Sequence, residues 1–600
     1  MSTLNTIGRL LVNRKNISAA SPAYGHFKNN KILRYNFQAY YDTIELLAIG
    51  LQKMGLKPQN KVSLLSKTRA EWHLLDMAIM CSNAVTVPIY HSYTTAEIIE
   101  LYQHSDSNVL IVENIKELHR LADALKKRCD FIITIKNFTV LEKEQFSEFN
   151  ILSFQELLIF GSENLEESKV KFLEIINQQN PSDVATIIYT SGTTGIPKGA
   201  VITQGALTAT LIGIKQFVGN AFNDKDRSLI FLPLSHVAGR IDSLLALIFG
   251  WEMIFAKSMD KIFENILLAR PTVIIAVPRI FEKVYSAVIK QVEDQNVLKR
   301  KYFDWACEVS EKYFKQLEAG KSPSSLDILQ QKIAYKTVFS KVNQYFGENI
   351  RYLITGGAPI EKEILSFLKY SNLTTLESYG LTETCGPCFI NPPHLQKIGS
   401  VGKTFGKTKV KIASDGEICL QSDTLFKEYY KNPHETANAF DDGWFRTGDV
   451  GHLDRDNFLY ITDRKKDLII TSAGKNIAPQ KIENLLKTKS LISHVVICGD
   501  RKKYLTALIA IEKERFVPYL SSLNLPLDCK ISDLANHSQV REMVGQQINE
   551  VNAGLANFES IKSFSILPFE ITPENYQTPS LKIKKKQLLS DFQATIDKMY

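Results

Sequence analysis

Val62-Ser-Leu-Leu-Ser-Lys-Thr-Arg-Ala-Glu-Trp-His-Leu-Leu-Asp-Met-Ala-Ile-Met-Cys-Ser-Asn-Ala-Val-Thr-Val-Pro-Ile89 holds a short apolar run, a helical stretch from Ala70 to Cys81, and a β-branched run from Val85. The same cycle extends outward on both sides. Upstream, Ile44, Leu47, Ala48 and Leu51 recur at helical spacing until Gly55 and Pro58 stop them. Downstream, Thr95 to His104 reads as helix, Asn108 to Val112 as strand, Ile115 to Arg128 as helix and Phe131 to Ile135 as strand. Short apolar strands alternating with amphipathic helices build a parallel sheet covered on both faces. The expected core is therefore doubly wound α/β.

Six hundred residues suit roughly four units of about 150 residues each. With 44% hydrophobic and 23% charged residues, the chain is not disordered, fibrous or a small disulfide-built scaffold. The net charge of +8 suits phosphate-bearing ligands or an anionic membrane surface, yet it is too dilute for a nucleic-acid binder. Eight irregularly spaced cysteines and the lack of a signal-peptide-like start predict a reducing, cytoplasmic setting. Ser243 to Ala256, the most apolar stretch, is broken by Gly250 and Glu252 and falls short of the ~20 residues of a membrane helix. Asp415-Gly416 and Asp442-Gly443 are hairpin signals, so antiparallel structure is expected there. The charged cluster Asp463-Arg-Lys-Lys-Asp467 is the expected boundary between a large domain, residues 1–462, and a small one, residues 463–600.

Tyr189-Thr-Ser-Gly-Thr-Thr-Gly-Ile-Pro-Lys-Gly199 carries the strongest chemical signal and follows the strand-like run Val184 to Ile188. Gly192, Gly195 and Gly199 let backbone approach an anion, while Thr190, Ser191, Thr193 and Thr194 can donate to phosphate oxygens. Lys198 adds a mobile cation. The spacing to Lys198 fails the G-x-x-x-x-G-K-[ST] pattern, so this is not a Walker A loop. Taken alone, the composition also suits a solvated turn.

The stretch closely resembles the signature loop of the adenylate-forming superfamily, which holds acyl-CoA synthetases, luciferases and peptide-synthetase adenylation domains. Further resemblances follow in the family's order: Phe231-Leu-Pro-Leu-Ser-His236, Gly356-Gly-Ala-Pro359, Tyr379-Gly-Leu-Thr-Glu383, Gly443-Trp-Phe-Arg-Thr-Gly-Asp449, Asp463-Arg-Lys-Lys-Asp467 and Thr578-Pro-Ser-Leu-Lys582. The resemblance implies a large domain of doubly wound α/β subdomains with a β-barrel-like subdomain, and a small mobile α+β C-terminal domain. It also implies a two-step reaction. A carboxylate attacks the α-phosphorus of ATP with loss of pyrophosphate, and the thiol of CoA then displaces AMP to give a thioester.

The roles implied by the resemblance fall on matching positions. Glu383 is the expected Mg²⁺ anchor, with Thr190 beside it. Asp449 suits ribose hydroxyls as an acceptor, and Arg464 meets the same sugar. Tyr379 offers a face to adenine, with Gly357, Ala358, Pro359, Ser378, Gly380 and Thr382 around the nucleotide. Lys582 is the expected catalytic ammonium, delivered to carboxylate and α-phosphate, and Lys466 is the expected pivot of the small domain, which also brings the loop from Ser472 to Asn476 toward CoA. His236 is expected to face the substrate as a positioner. Arg240 resembles the gate of an acyl tunnel lined by Leu244, Leu245 and Ile248, with Gly356 also against the substrate.

The Phe231 to Arg240 segment, Val277-Pro-Arg-Ile-Phe-Glu-Lys283 and the Thr-Pro-Ser-Leu-Lys terminus make the chain most similar to long-chain fatty acid:CoA ligases, with a fatty acid and CoA as partners and a possible peripheral membrane contact. Two rivals are an acyl-AMP ligase that loads a carrier protein and a non-catalytic nucleotide- or acyl-binding protein. Departures from the family pattern are Ser-Leu before Lys582, Gln204 where relatives often carry His, and Gln421, Ser422 and Glu428 where glycine is frequent. Cys385-Gly-Pro-Cys388 copies a thioredoxin tetrapeptide, but its context suits space-filling behind the adenine site better than redox chemistry.

Overall fold

Each βα cycle read from the sequence closes onto the next. The computed structural model describes residues 4–29, 31–125, 129–190, 197–472, 475–572, 574–578 and 583–600. Strand Lys61–Leu65 lies between Val85–Ile89 and Val109–Val112, with Phe131–Thr134 and Ile151–Ser153 continuing in parallel. On the other side, Val85–Ile89 pairs in parallel with Val184–Thr190. That strand turns into antiparallel Lys198–Thr203, whose far edge takes Glu428–Tyr429. Helices Phe37–Lys53, Ala70–Cys81, Thr95–His104 and Ile115–Leu125 occupy the intervals anticipated for them.

A second, nine-stranded sheet runs in parallel from Thr375–Leu381 through Tyr352–Thr355, Val273–Ala276, Arg227–Ile230 and Glu252–Phe255 to Pro22–Lys28. Antiparallel strands close both of its ends. One hydrophobic core joins the two sheets: Leu64 and Ile111 from the first meet Met253 and Phe255 from the second, with Trp72, Met77, Leu244 and Leu245 among them. Helix Ala70–Cys81 lies in this layer and is buried at every residue except Glu71. Its sequence is accordingly apolar around the whole circumference rather than along one stripe.

Burial on both faces leaves that helix's polar groups to pair inside the protein. Asp76 meets Arg240 of helix Val237–Phe249, Oδ2 to Nε at 3.0 Å and Oδ1 to Nη2 at 2.5 Å, and each side chain is 1% exposed. Arg240 Nη1 donates to Thr186 Oγ1 on strand Val184–Thr190, and the guanidinium lies over the Trp72 ring, 5.9 Å from its centroid. Arg240, expected as the gate of an acyl tunnel, stands here as the inner half of a buried ion pair. Leu244 and Leu245 belong to the same packed core, and Ile248 packs against it, so the three stand in the intersheet layer where an acyl tunnel lining was expected. Gln204 is fully buried, and its Oε1 accepts from Ile7 N at 3.1 Å, which ties helix Ile7–Ser18 to the start of helix Gln204–Val218.

Both hairpin signals hold. Lys409–Ile412 turns into Glu417–Gln421 through Gly416 at φ +83°. Phe440–Asp441 turns into Trp444–Leu453 through Asp442 and Gly443 at φ +48° and +75°, the paired positive angles of a two-residue hairpin turn. With Leu459–Arg464 these strands form a five-stranded antiparallel sheet where the barrel-like subdomain was expected. Asp463 and Arg464 are still paired within that sheet. Beyond them, helix Pro479–Lys487 and strands His494–Cys498, Leu505–Ala510 and Ile561–Ile566 surround a separate core that includes Ile482, Val495, Ile509 and Val544. Glu512 of this part accepts from Arg279 Nη2 of helix Pro278–Glu293 at 2.6 Å. Its other oxygen is held by Arg515 Nε at 2.9 Å.

Removing one partner of a buried ion pair strands the other charge, whereas removing both with apolar replacements does not. Asp76→Ala is expected to destabilise the large domain by about 3–5 kcal/mol in urea unfolding, and Asp76→Leu with Arg240→Met to recover most of that loss.

Candidate active site

The expected nucleotide residues converge at the carboxyl ends of parallel strands, where such sheets bind ligands. Strand Tyr352–Thr355 runs into Gly356-Gly357-Ala358-Pro359, and its neighbour Thr375–Leu381 presents Ser378 and Tyr379. Ser378 Oγ donates to Thr355 O at 3.0 Å. A Cβ on Gly356 would stand 2.6 Å from Ser378 Oγ, so glycine is what lets the two strand ends meet. Gly357, at φ +79°, turns an exposed loop away with open space around it, and Ala358 and Pro359 continue it. Gly380 has a comparable constraint, since a side chain there would overlap the Gly386 carbonyl.

Tyr379 joins the antiparallel sheet to this corner. Its hydroxyl donates to Asp449 Oδ2 at 2.6 Å, and Arg464 Nε meets Asp449 Oδ1 at 3.1 Å. Asp449 and Arg464 stand opposite each other on adjacent strands, and Asp449 is 3% exposed. Burial, reinforced by the Asp449 carboxylate, holds the Tyr379 phenol well above its ordinary pKa, so it remains a donor. Burial disfavours the Arg464 guanidinium's charge, but Asp449, Tyr379, Asp467 and Glu383 together outweigh it and raise the group's pKa. The Tyr379 ring is mostly covered, with Phe389 6.0 Å away between centroids.

The turn after Thr375–Leu381 carries Thr382, which is buried, and Glu383. Glu383 is fixed from two sides: its carbonyl accepts from Phe426 N at 2.8 Å, and its Oε1 accepts from Tyr429 Oη at 2.8 Å. Tyr429 lies on the short strand beside Lys198–Thr203, so its ring comes under Lys198, 5.3 Å from Nζ to centroid. Lys198 Nζ pairs with Glu435, and Thr190 Oγ1 donates to Lys198 O at 3.3 Å. The structure thus brings Lys198, Thr190 and Glu383 into one neighbourhood through Tyr429 and Glu435, two residues the sequence reading did not single out. Asn432 and Pro433 do mark a helix start there, but no local pattern links that helix to a lysine 237 positions earlier.

His236 caps helix Val237–Phe249, and its Nδ1 accepts from Ala238 N at 3.1 Å. That bond leaves the proton of the neutral ring on Nε2. Lys466 lies in the turn after Arg464 and is near enough to bear on the charge of Glu435. Cys385 and Cys388 are buried, Cys388 Sγ donates to Tyr379 O at 3.5 Å, and burial pushes both thiols up to about 12. Such thiols fill space behind Tyr379 and resist forming the thiolate that redox exchange requires. Ser191, Gly192, Thr193, Thr194, Gly195 and Lys582 lie outside the described residues.

Residues 18–430 match the AMP-binding enzyme family, and residues 466–600 match the AMP-binding enzyme C-terminal domain. The chain belongs to the AMP-binding enzyme family. A long-chain-fatty-acid–CoA ligase of Mycobacterium bovis is 32% identical, over 93% of this chain and 90% of the relative. Long chain acyl-CoA synthetase 3 of Arabidopsis thaliana is 28% identical, over 95% of this chain and 88% of the relative. Among solved structures, the adenylation domain of a carboxylate reductase from Mycobacterium chelonae superposes with a TM-score of 0.77 at 19% identity, covering 99% of this chain and 90% of that one, which shows a common fold.

Within this AMP-binding enzyme, Glu377 immediately precedes the Ser378-Tyr379 pair and accepts from Gly399 N at 3.0 Å. Burial raises its pKa to about 8. The folded protein therefore holds a proton that the unfolded chain releases near pH 4.5, so this contribution to stability is full below that pH and disappears as pH rises through about 8. Glu377→Gln is expected to flatten the decline in denaturant midpoint between pH 5 and 9, with the largest gain over the native residue at the alkaline end.

Proposed function

We propose that this chain activates a long-chain fatty acid with ATP and passes the acyl group to CoA. The carrying observation is the Tyr379–Asp449–Arg464 cluster at the carboxyl ends of parallel strands, beside Lys198 and Glu383. The names of the curated relatives support the long-chain acid and CoA. In the first step a carboxylate oxygen bonds to the α-phosphorus and pyrophosphate leaves; in the second the CoA sulfur bonds to the acyl carbon and AMP leaves.

Asp449 accepts from ribose hydroxyls, with Arg464 beside it, and Tyr379 keeps that carboxylate oriented. Gly357, Ala358, Pro359, Ser378, Gly380 and Thr382 shape the walls around the base and sugar. Lys198, with Thr190 and the loop from Ser191 to Gly195, meets the phosphates. His236, at the start of helix Val237–Phe249, positions the incoming substrate. Lys582 brings an ammonium to the carboxylate and α-phosphate from the small domain, residues 463–600, which turns about Lys466 between the two steps.

Among the described residues, no group of three or more His, Cys, Asp or Glu could hold a metal ion. A lone carboxylate, Glu383, nevertheless suits Mg²⁺, which takes one or two carboxylates and completes its shell with substrate phosphates and water. Bound there, Mg²⁺ offsets negative charge on the phosphates. No helix among the described residues is long and apolar enough to cross a membrane. The +8 charge suits work at an anionic membrane surface, a peripheral role for an otherwise cytoplasmic protein.

Pyrophosphate release across acids from acetate to long-chain fatty acids, with and without CoA, tests the assignment. Release should depend on a long chain, and thioester should appear with CoA rather than with a phosphopantetheinyl carrier protein; carrier-only transfer favours the rival acceptor. Lys582→Ala should slow adenylate formation by about a hundredfold or more while sparing thioester formation from supplied acyl-adenylate.

A further inference from the structure

Lys198 is the cation of the phosphate-holding segment, yet its ammonium already has an anion. Glu435 engages it, while the Tyr429 ring lies beneath. That carboxylate sits on a built support rather than on a passing loop. Glu435 is the third residue of helix Pro433–Ala439, and its backbone N–H donates to the capping Asn432 Oδ1 at 3.1 Å. Thr436 of the same helix accepts from Tyr429 N at 2.9 Å, so helix, ring and carboxylate are registered together. Lys198 holds the Glu435 carboxyl below the usual range, with smaller contributions from His434 and Lys466. The His434 Nδ1 stands 3.8 Å from the other carboxylate oxygen.

We propose that Glu435 is the resting counter-ion of Lys198, holding the lysine while the nucleotide site is empty and yielding it to the phosphates when ATP binds. The inference rests on the nucleotide-binding reading above. The triphosphate and the Glu435 carboxylate carry like charge and compete for one ammonium, so phosphate binding at Lys198 draws the lysine away from a carboxylate that is already in place. Part of the phosphate–lysine attraction is then spent on separating the internal pair. Tyr429 remains as the shared support, since its ring lies under Lys198 and its hydroxyl holds Glu383. Glu435 is thus a positioning residue that acts on ATP affinity through Lys198 and touches no reacting atom.

Isothermal titration calorimetry of the full-length protein with ATP, and separately with adenosine, tests this at low ionic strength with and without Mg²⁺. Glu435→Gln keeps the size and the helix position while removing the charge. It should bind ATP about two- to fivefold more tightly, the scale of a partly exposed ion pair, and bind adenosine unchanged. Lys198→Ala should weaken ATP binding and erase the difference between Glu and Gln at position 435. Unchanged or weaker ATP binding by Glu435→Gln, a parallel change for adenosine, or a gain that persists in the Lys198→Ala background would each overturn the proposal. If Glu435→Gln melts early, Glu435→Asp withdraws the carboxylate by one methylene and must move ATP affinity in the same direction. A native protein that binds neither ATP nor adenosine overturns the nucleotide reading itself, a result distinct from native binding with no response at position 435.

Discussion

The buried pair between Asp76 and Arg240 is the constraint on which the large domain depends. It joins a helix of one parallel sheet to a helix of the other, and Thr186 brings a strand into the same bond. Two charges in an apolar layer are tolerable only when each saturates the other, so the pair sets how the two helices pass. Helix Val237–Phe249 also begins at His236, one turn before Arg240. The placement of the His236 imidazole is therefore tied to an interaction in the intersheet core as well as to the loop that precedes it.

The second organising feature is the meeting of unlike sheets. Parallel strands end at Gly356 and Tyr379, while Asp449 and Arg464 face one another across an antiparallel pair. Tyr379 spans the gap with one hydrogen bond, and its burial keeps the phenol protonated and able to donate. Carboxylate and guanidinium come from one sheet and the aromatic group from another, and each is held by a partner. Such preorganisation lowers the cost of ordering the site at binding. Lys198 follows the same logic, with Glu435 and Tyr429 supporting its charge.

Much of the architecture was legible because it is encoded locally. The alternation around Val62 to Ile89, the stop at Gly55 and the positive φ angles at Gly416 and Gly443 each follow from side-chain period or backbone freedom within a few residues. The ordered motifs also led to the AMP-binding family, and Tyr379, Asp449 and Arg464 do stand together. The buried partner of Arg240 was not legible for a physical reason: nothing near it in sequence announces Asp76, 164 positions earlier. Leu244 and Leu245 carry an ambiguity of their own, because an apolar side chain looks alike whether it lines a tunnel or fills a core.

The sequence by itself determined the period of each element, the turns that close the hairpins and the kinds of group available for carboxylate activation, since these depend on neighbours a few bonds away. The tertiary structure decided which charge meets which: Arg240 with Asp76, Tyr379 with Asp449, Lys198 with Glu435 across 237 positions. Ion pairs and hydrogen bonds depend on distance in space, which only the packing of the two sheets and their shared helices supplies.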